Sequence, residues 1–377
     1  MHCVYQLCFD VPRQCDYGGK GGCIMAKVLM KGNEAIARAA IAAGCDSFFG
    51  YPITPQNEIP EYMAKYLADS GGVFVQAESE VAAINMVYGA AAAGARTMTS
   101  SSSPGIALKQ EGISYCAGAE LPIVIVSVSR GGPGLGGILP AQSDYNQATR
   151  GGGNGDYKVL VLAPNSVQEA TTMVHDAFVL AEKYRNPVMV MADGIIGQMM
   201  EPVELKTEKL PPIKGNWFAD GAIQNRDRNV VNSMILNPVL LDQHNRNLKA
   251  KYDAMMRDDV RYEESETSDA DVLLVAYGTP SRIVKSAIQL LRDGGIKAGL
   301  FRPQTLLPFP EKALHEASKG KKFVMVCELS MGQMLQDVRL SVLNECPVEF
   351  MGKAGGLVFE PAEIVAEVKR LLKEVKS

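Results

Sequence analysis

The apolar run PIVIVSVSR, which begins at Pro122, constrains the fold of this chain more than any other feature. A strand that is apolar on both faces is typical of the middle of a parallel sheet, where helices cover both sides. From Met25 onwards the chain alternates between helical and extended segments, which favours layers of helices and strands. The sequence therefore predicts an α/β fold with right-handed parallel crossovers.

The alternation occurs in two parts of the chain, so we predict two parallel-sheet α/β domains, over 25–202 and 270–377. The connector over 203–269 is rich in Pro and Lys at its start and has an amphipathic helix over 237–256. Its acidic stretch from Tyr262 is predicted to form no strand. We expect this connector to lie over the first domain.

The segments within the two domains follow from hydrophobic periodicity and capping signals. Helices are predicted over 33–43, 79–93, 106–117, 167–184, 281–292, 311–317 and 361–374. Strands are predicted over 46–51, 72–76, 96–100, 122–130, 158–162, 187–193, 271–278, 297–301, 322–327 and 348–351.

The first 24 residues are predicted to be a non-native extension. They lack the layout of a signal peptide, and GGKGG before Met25 is what a ribosome-binding site would encode if it were translated. A cysteine-rich redox extension is the alternative, since this stretch contains Cys3, Cys8, Cys15 and Cys23. The spacing of these cysteines, however, matches neither a ferredoxin nor a zinc site. The remaining cysteines are predicted to be buried thiols in a reducing compartment: Cys45, Cys116, Cys327 and Cys346.

Composition excludes several classes of partner. The net charge is −4 and no basic block occurs, which disfavours a nucleic-acid surface. No apolar run approaches the roughly 18 residues that a membrane span needs. We therefore expect a soluble, cytoplasmic protein.

The most informative chemical signal is an acidic residue at the start of an apolar helix. Glu80 lies in QAESEVAAINMVYGAAAAGARTMTSSSSPG, which begins at Gln76 and follows YPITPQNE at Tyr51. A carboxylate in such a helix is costly to desolvate unless it has a polar partner. Glu80 is thus either a buried acid that awaits a ligand or an acid that favours the helix dipole. Glu78 is expected to be solvated.

These two segments resemble the thiamine-pyrimidine domain of the α subunit of 2-oxoacid:ferredoxin oxidoreductases, and the branched-chain (2-oxoisovalerate) type is the most similar in wording. The resemblance extends from about Met25 to the C-terminus and is most specific from Gly50 to Tyr157. It implies oxidative decarboxylation of a 2-oxoacid with CoA to acyl-CoA, CO2 and reduced ferredoxin. It also implies that the second domain is transketolase C-terminal-like.

The resemblance implies roles for four residues. Glu80 would hydrogen-bond the pyrimidine ring of thiamine diphosphate, a role for which burial must raise the pKa of a carboxyl. Pro52 would face the same ring with its backbone, and Thr54 would reach substrate and cofactor, although both could simply form a rigid turn. Arg130 would bind the substrate carboxylate; a rim arginine paired to a surface acid is the alternative.

Other residues are weaker candidates. The SSSSPG run from Ser100 is expected to line the pocket, and Gln142 and Asp144 are expected near a subunit interface. Asp193 is predicted to be structural, because ADGIIGQ lacks the Asn-Asn pair of the magnesium motif. We predict no metal ligand on this chain.

The missing motifs imply partners. The chain would supply the pyrimidine half of the cofactor site, and a β subunit would supply the diphosphate half with Mg²⁺. Small γ and ferredoxin-like δ subunits would carry the iron–sulfur clusters and pass electrons to ferredoxin.

Alternatives remain open at this point. The chain could serve a 2-oxoglutarate- or pyruvate-specific enzyme, act as a non-catalytic assembly module, or be a self-sufficient thiamine decarboxylase or synthase. A second basic residue near the pocket would favour 2-oxoglutarate, but Arg96, Lys109 and Arg150 are expected to be solvated.

Overall fold

A computed structural model describes residues 27–206, 209–221 and 227–374. The non-native extension predicted over residues 1–24 lies outside the described residues, as do the four cysteines it contains. The described chain forms two α/β units, and this confirms the predicted fold class.

The first unit is built on a seven-stranded sheet with the strand order β12-β6-β7-β5-β4-β2-β3. Its strands are β2 (Ser47–Gly50), β3 (Val73–Gln76), β4 (Thr97–Ser101), β5 (Ile123–Ser129), β6 (Leu160–Leu162), β7 (Val188–Asp193) and β12 (Thr305–Leu307). All neighbours are parallel except β12, which pairs antiparallel with β6.

Helices cover both faces of this sheet. They are α1 (Gly32–Ala43), α2 (Glu58–Tyr66), α3 (Glu80–Ala92), α4 (Ser103–Gly118), α5 (Tyr145–Arg150), α6 (Val167–Tyr184) and α7 (Gly194–Gln198). Along β5 the side chains alternate between two cores, with Ile123 and Ile125 facing α3 and α4, and Val124 and Val126 facing α1 and α6. The predicted strand is therefore buried on both faces.

A small two-stranded sheet and a long connector helix complete this part of the chain. β1 (Val28–Lys31) pairs antiparallel with β8 (Met200–Val203). Helix α8 (Pro238–Asp258) buries Leu248, Tyr252 and Met255 against the first unit.

The second unit is built on a five-stranded sheet with the order β14-β13-β10-β11-β9. Its strands are β9 (Tyr262–Ser265), β10 (Val272–Val275), β11 (Ala298–Pro303), β13 (Phe323–Glu328) and β14 (Val348–Gly352). Its helices are α9 (Gly278–Asp293), α10 (Glu311–Ser318), α11 (Met334–Val342) and α12 (Pro361–Glu374). Helices α9 and α12 cover one face, while the other face packs towards the first unit.

The prediction of a strandless acidic stretch was wrong, because Tyr262–Ser265 forms β9 at the edge of this sheet. Its Glu263 lies opposite Arg302 of β11 and accepts a hydrogen bond of 2.7 Å from Arg302 Nε. The guanidinium is almost fully buried and also makes a bidentate pair with Glu169 of α6. Acidic residues here neutralise a buried cation, and charged residues are common in edge strands.

Strand β12 was not predicted either, and it links the two units. It follows β11 in the chain of the second unit, yet it extends the sheet of the first unit beside β6. Leu306 and Leu307 join a core that contains Val161 of the first unit and Phe301 of the second. The two units therefore share one hydrophobic core.

The four cysteines within the described residues are free and buried, as predicted. Burial raises the pKa of the Cys45 thiol to about 12, so it is protonated at neutral pH. In the portion of the chain covered by the structure, no helix has both the length and the apolar character that crossing a membrane requires.

We expect Arg302→Met to destabilise the chain by about 2 to 4 kcal/mol, since two partly buried carboxylates would lose their shared cation. The urea midpoint, measured with an unchanged slope, reports this loss. The control is Arg246→Met, which removes an exposed pair with Asp242 on α8 and should leave the midpoint in place. Equal midpoints for the two variants would contradict a stabilising role for Arg302.

Candidate functional site

Parallel strands bring several loops to one edge of the first sheet. β2, β4, β5 and β7 all run in the same direction, so their carboxyl ends lie side by side. Ligands of open α/β sheets bind at this edge. The predicted site residues follow these strands or begin the helix after β3.

Hydrogen bonds fix the base of the YPITP loop after β2, while its tip is exposed. Asn33 of α1 donates hydrogen bonds to the Pro55 carbonyl (2.8 Å) and to Glu58 (2.7 Å). Pro52 and Thr54 are exposed at the tip. The loop thus presents the Thr54 hydroxyl on a fixed base.

Arg130 lies directly after β5 and reaches this loop. Its Nη1 donates to the Thr54 carbonyl (2.9 Å), and its Nη2 donates to the Leu135 carbonyl (3.0 Å). The Nε atom is buried without a hydrogen-bond partner among the described residues. The structure therefore brings Arg130 and Thr54 together and leaves one guanidinium donor available to an acceptor.

Ser103 links Asp144 to Arg130 by hydrogen bonds. The Ser103 hydroxyl accepts a hydrogen bond from the Arg130 backbone N–H (2.9 Å) and donates one to Asp144 (2.6 Å). Burial raises the pKa of the Asp144 carboxyl, and the hydrogen bond from Ser103 offsets part of that rise.

Gln142 joins the two units of this chain. Its side chain donates to the Tyr277 carbonyl (2.9 Å) and accepts from the Leu329 N–H (3.0 Å). A cavity of about 470 Å³ lies close by, and it has walls from both units. Its lining includes Ser103, Gly132, Asp144, Met331 and Gly355.

Glu80 is buried at the first position of α3, where Ser79 caps the helix by accepting the Ala82 N–H (3.2 Å). Its carboxyl lies against Gly105 of α4: a Cβ atom on that glycine would be 2.5 Å from Glu80 Oε1. The same Cβ would lie 2.1 Å from Ser101 Oγ. A larger residue at position 105 would force the Glu80 carboxyl or the Ser101 hydroxyl to shift.

Two further hydroxyls in this region carry unused hydrogen-bonding capacity. Ser101 and Ser102 are fully buried, and neither hydroxyl has a partner among the described residues. Buried polar groups are normally satisfied, so these hydroxyls have the capacity to bond a polar ligand. The serine run also connects the site, since Ser100 bonds Gln56 of the YPITP loop (2.5 Å) and Ser103 bonds Arg130.

The expectation that Arg96 and Lys109 are solvated was wrong. Lys109 is fully buried on α4 and donates to Thr99 Oγ1 (2.6 Å) and to the Ser100 carbonyl (3.0 Å). Arg96 is buried against Glu182 (2.6 Å). Arg150 is half-exposed and pairs with Asp337 (2.6 Å).

A sequence signal for Lys109 did exist. It lies three residues after Ile106 and four before Ile113, and both isoleucines are buried on α4. This spacing places Lys109 on the apolar stripe of the helix. No comparable signal identified Gly105 or Gln56, whose importance comes from contacts distant in the chain.

Asp193 has the structural role that was predicted for it. Its Oδ1 accepts from the Ile195 N–H (2.9 Å) and Ile196 N–H (3.2 Å), which caps α7. It also accepts the Thr279 hydroxyl (2.9 Å) from the second unit. Among the described residues, no group of three or more His, Cys, Asp or Glu side chains converges to hold a metal ion.

Two family models match the chain. One, described as pyruvate flavodoxin/ferredoxin oxidoreductase, thiamine diP-bdg (thiamine diphosphate-binding), matches residues 38–264. The other, described as pyruvate:ferredoxin oxidoreductase core domain II, matches residues 270–364. The first matched region contains most of the first α/β unit, and the second contains most of the second unit.

Individual relatives agree with these matches. Ketoisovalerate oxidoreductase subunit VorB of Methanothermobacter marburgensis is 49% identical over 93% of this chain and 99% of that protein. The 2-oxoglutarate synthase subunit KorA of the same organism is 38% identical over 90% of this chain and 97% of that protein.

A solved structure, 2-oxoglutarate:ferredoxin oxidoreductase from Magnetococcus marinus with 2-oxoglutarate, coenzyme A and succinyl-CoA bound, is also similar. It superposes with a TM-score of 0.82 at 29% identity. The match covers 92% of this chain but only 65% of that chain.

We expect Gly105→Ala to destabilise the purified chain by about 1 to 3 kcal/mol, since the new methyl group would overlap the Glu80 carboxyl and Ser101. Gly89→Ala is the matched control, because that helical glycine has no atom within 4 Å of its Cβ position. There the gain in helix propensity should stabilise the chain by about 0.5 to 1 kcal/mol. Urea unfolding of both variants checks the opposite signs; stabilisation by both would refute the close packing at Gly105.

Proposed function

The chain belongs to the thiamine diphosphate-dependent 2-oxoacid:ferredoxin oxidoreductase family, and we propose that its site binds the pyrimidine half of the cofactor together with a branched-chain 2-oxoacid. The reaction is oxidative decarboxylation of 2-oxoisovalerate with CoA, giving acyl-CoA, CO2 and reduced ferredoxin. The observation that carries the proposal is the buried Glu80 carboxyl, which shares the space beside Gly105 with the unsatisfied hydroxyl of Ser101.

These residues fit the cofactor. When bound, thiamine diphosphate supplies the nucleophilic carbon and the electron sink that decarboxylation of a 2-oxoacid needs. Glu80 would hold the pyrimidine ring through a hydrogen bond made by its carboxyl group. Gly105 keeps the space beside that carboxyl open. Pro52 is exposed at the tip of the neighbouring loop, and its backbone would contribute to holding the same ring.

Arg130 and Thr54 hold the substrate. A guanidinium is suited to capture the carboxylate common to all 2-oxoacids, and Nε of Arg130 is free to donate. The hydrogen bond from Arg130 to the Thr54 carbonyl fixes the separation of the two residues. Their side chains would therefore orient the substrate at low entropic cost.

A neutral substrate side chain is favoured by the pairing of three basic residues within this chain. A dicarboxylic acid such as 2-oxoglutarate would need a second positive group. Lys109, Arg96 and Arg150 are each engaged by partners within this chain. The higher identity to a ketoisovalerate oxidoreductase subunit, 49%, than to a 2-oxoglutarate synthase subunit, 38%, agrees with this.

Helix α3 supports the presence of a partner subunit. Its sequence is apolar all round, yet Val81 and Met86 are exposed. An apolar face on the helix that carries Glu80 is suited to burial against another chain. We infer that a β subunit covers it and brings the diphosphate half of the site with Mg²⁺. Small γ and ferredoxin-like δ subunits then supply iron–sulfur clusters.

The first experiment measures reduction of a low-potential dye, dependent on a 2-oxoacid and CoA, by this chain co-expressed with its partner subunits. We expect the kcat/KM for 2-oxoisovalerate to exceed those for 2-oxoglutarate and pyruvate by about tenfold or more, since apolar pockets discriminate on that scale. The chain alone should show no turnover. Preference for 2-oxoglutarate would overturn the substrate assignment, and turnover by the chain alone would overturn the divided site.

Glu80→Gln should lower kcat in the assembled complex by about 100-fold or more, the scale expected when a group that activates the cofactor is lost. Glu78→Gln is the matched control, because Glu78 lies two residues away and is exposed; its kcat should not change. Normal turnover by Glu80→Gln in a complex of unchanged subunit composition would contradict the assigned role.

A further inference from the structure

Lys109 is a fully buried lysine that the proposed reaction does not use, and it lies one helical turn after Gly105, the residue that touches the Glu80 carboxyl. We propose that Lys109 is a positioning residue, whose ammonium fixes the carboxyl end of β4 to α4 and provides the counter-charge for the buried Glu80 carboxylate. The effect on catalysis rests on the proposed function of Glu80, whereas the charge pairing does not.

The contacts of Lys109 define its mechanical role. Its ammonium donates to the Thr99 hydroxyl and the Ser100 carbonyl, both in the last residues of β4. Ser100 in turn bonds Gln56, which donates to the Tyr51 carbonyl (3.2 Å). A single side chain therefore connects α4, the end of β4 and the YPITP loop.

The helix geometry places Lys109 and Glu80 on the same side of α4. Gly105 touches the Glu80 carboxyl, and Lys109 follows Gly105 by four residues, which is one turn on the same face. The ionisable group that faces Lys109 from the neighbouring helix is Glu80. The groups that meet it from β4 are the uncharged Thr99 and Ser100.

Burial of one charge alone would be unfavourable. Burial lowers the pKa of Lys109 to about 7, and the charge of Glu80 opposes this fall. Removal of one member of a buried pair leaves the other charge uncompensated, whereas removal of both can be nearly neutral. A charge pair and a simple packing contact therefore predict different results in a double-mutant cycle.

The experiment uses the full chain in its assembled complex, as wild type, Lys109→Met, Glu80→Gln and the double variant. Lys109→Met should lower the urea midpoint, and adding Glu80→Gln should restore part of that loss. The coupling should be present at pH 6, where Lys109 is protonated, and should shrink at pH 9, where it is neutral. Additive midpoints, or a coupling that does not change with pH, would overturn the charge pairing.

Activity provides a separate readout. Lys109→Met should lower kcat for 2-oxoisovalerate by about 10- to 100-fold, as expected when a reacting group is misplaced, with a smaller change in KM. Lys109→Arg, which keeps the cation, should recover part of this loss. In the Glu80→Gln background, Lys109→Met should cause no further loss of kcat. A full additional loss would overturn the positioning role.

Lys251→Met is the matched control. Lys251 is a partly buried lysine that pairs with Glu120 (3.2 Å), but it lies on α8. This variant should lower the urea midpoint without any coupling to Glu80→Gln and without loss of kcat. If wild type were inactive with every 2-oxoacid while the midpoint coupling remained, the proposed function would fail and the charge pairing would stand. If Lys251→Met coupled to Glu80→Gln as strongly as Lys109→Met does, the claim of a specific charge pair between Lys109 and Glu80 would be overturned.

Discussion

The parallel register of β2, β4, β5 and β7 is the constraint on which the site depends. Because these strands share one direction, the YPITP loop, the serine run and Arg130 all emerge at one edge of the sheet. The strands are buried on both faces, so this arrangement is held by two hydrophobic cores rather than by the loops themselves. The polar groups of the site can therefore lack hydrogen-bond partners and still keep their positions.

Charge compensation is the second organising theme. Arg302 is buried against two carboxylates where the units meet, and Lys109 lies fully buried near Glu80. In both cases the cation is placed by a neighbouring apolar element, and acids that are distant in sequence complete the arrangement. Such sites depend strongly on tertiary structure, because a buried cation is unfavourable unless partners from other elements compensate it.

The sequence predicted the features that depend on local pattern. Periodicity identified the apolar strand β5 and the helix from Val167 to Tyr184, and the motifs marked Glu80 as a buried acid. It did not predict β12, because three residues carry too little periodicity and the strand forms only by pairing with β6. Lys109 was misjudged because its charge was given more weight than its place on the apolar stripe of α4.

The position of β12 affects how this chain can be divided. The two family models meet between residues 264 and 270, which suggests a natural boundary. However, a fragment that ended there would lose the strand that covers β6 and would expose a row of unpaired backbone donors and acceptors. Sequence families and folding units therefore have different borders in this protein. Rearrangement of the two modules during evolution would have required a new edge strand for the first sheet.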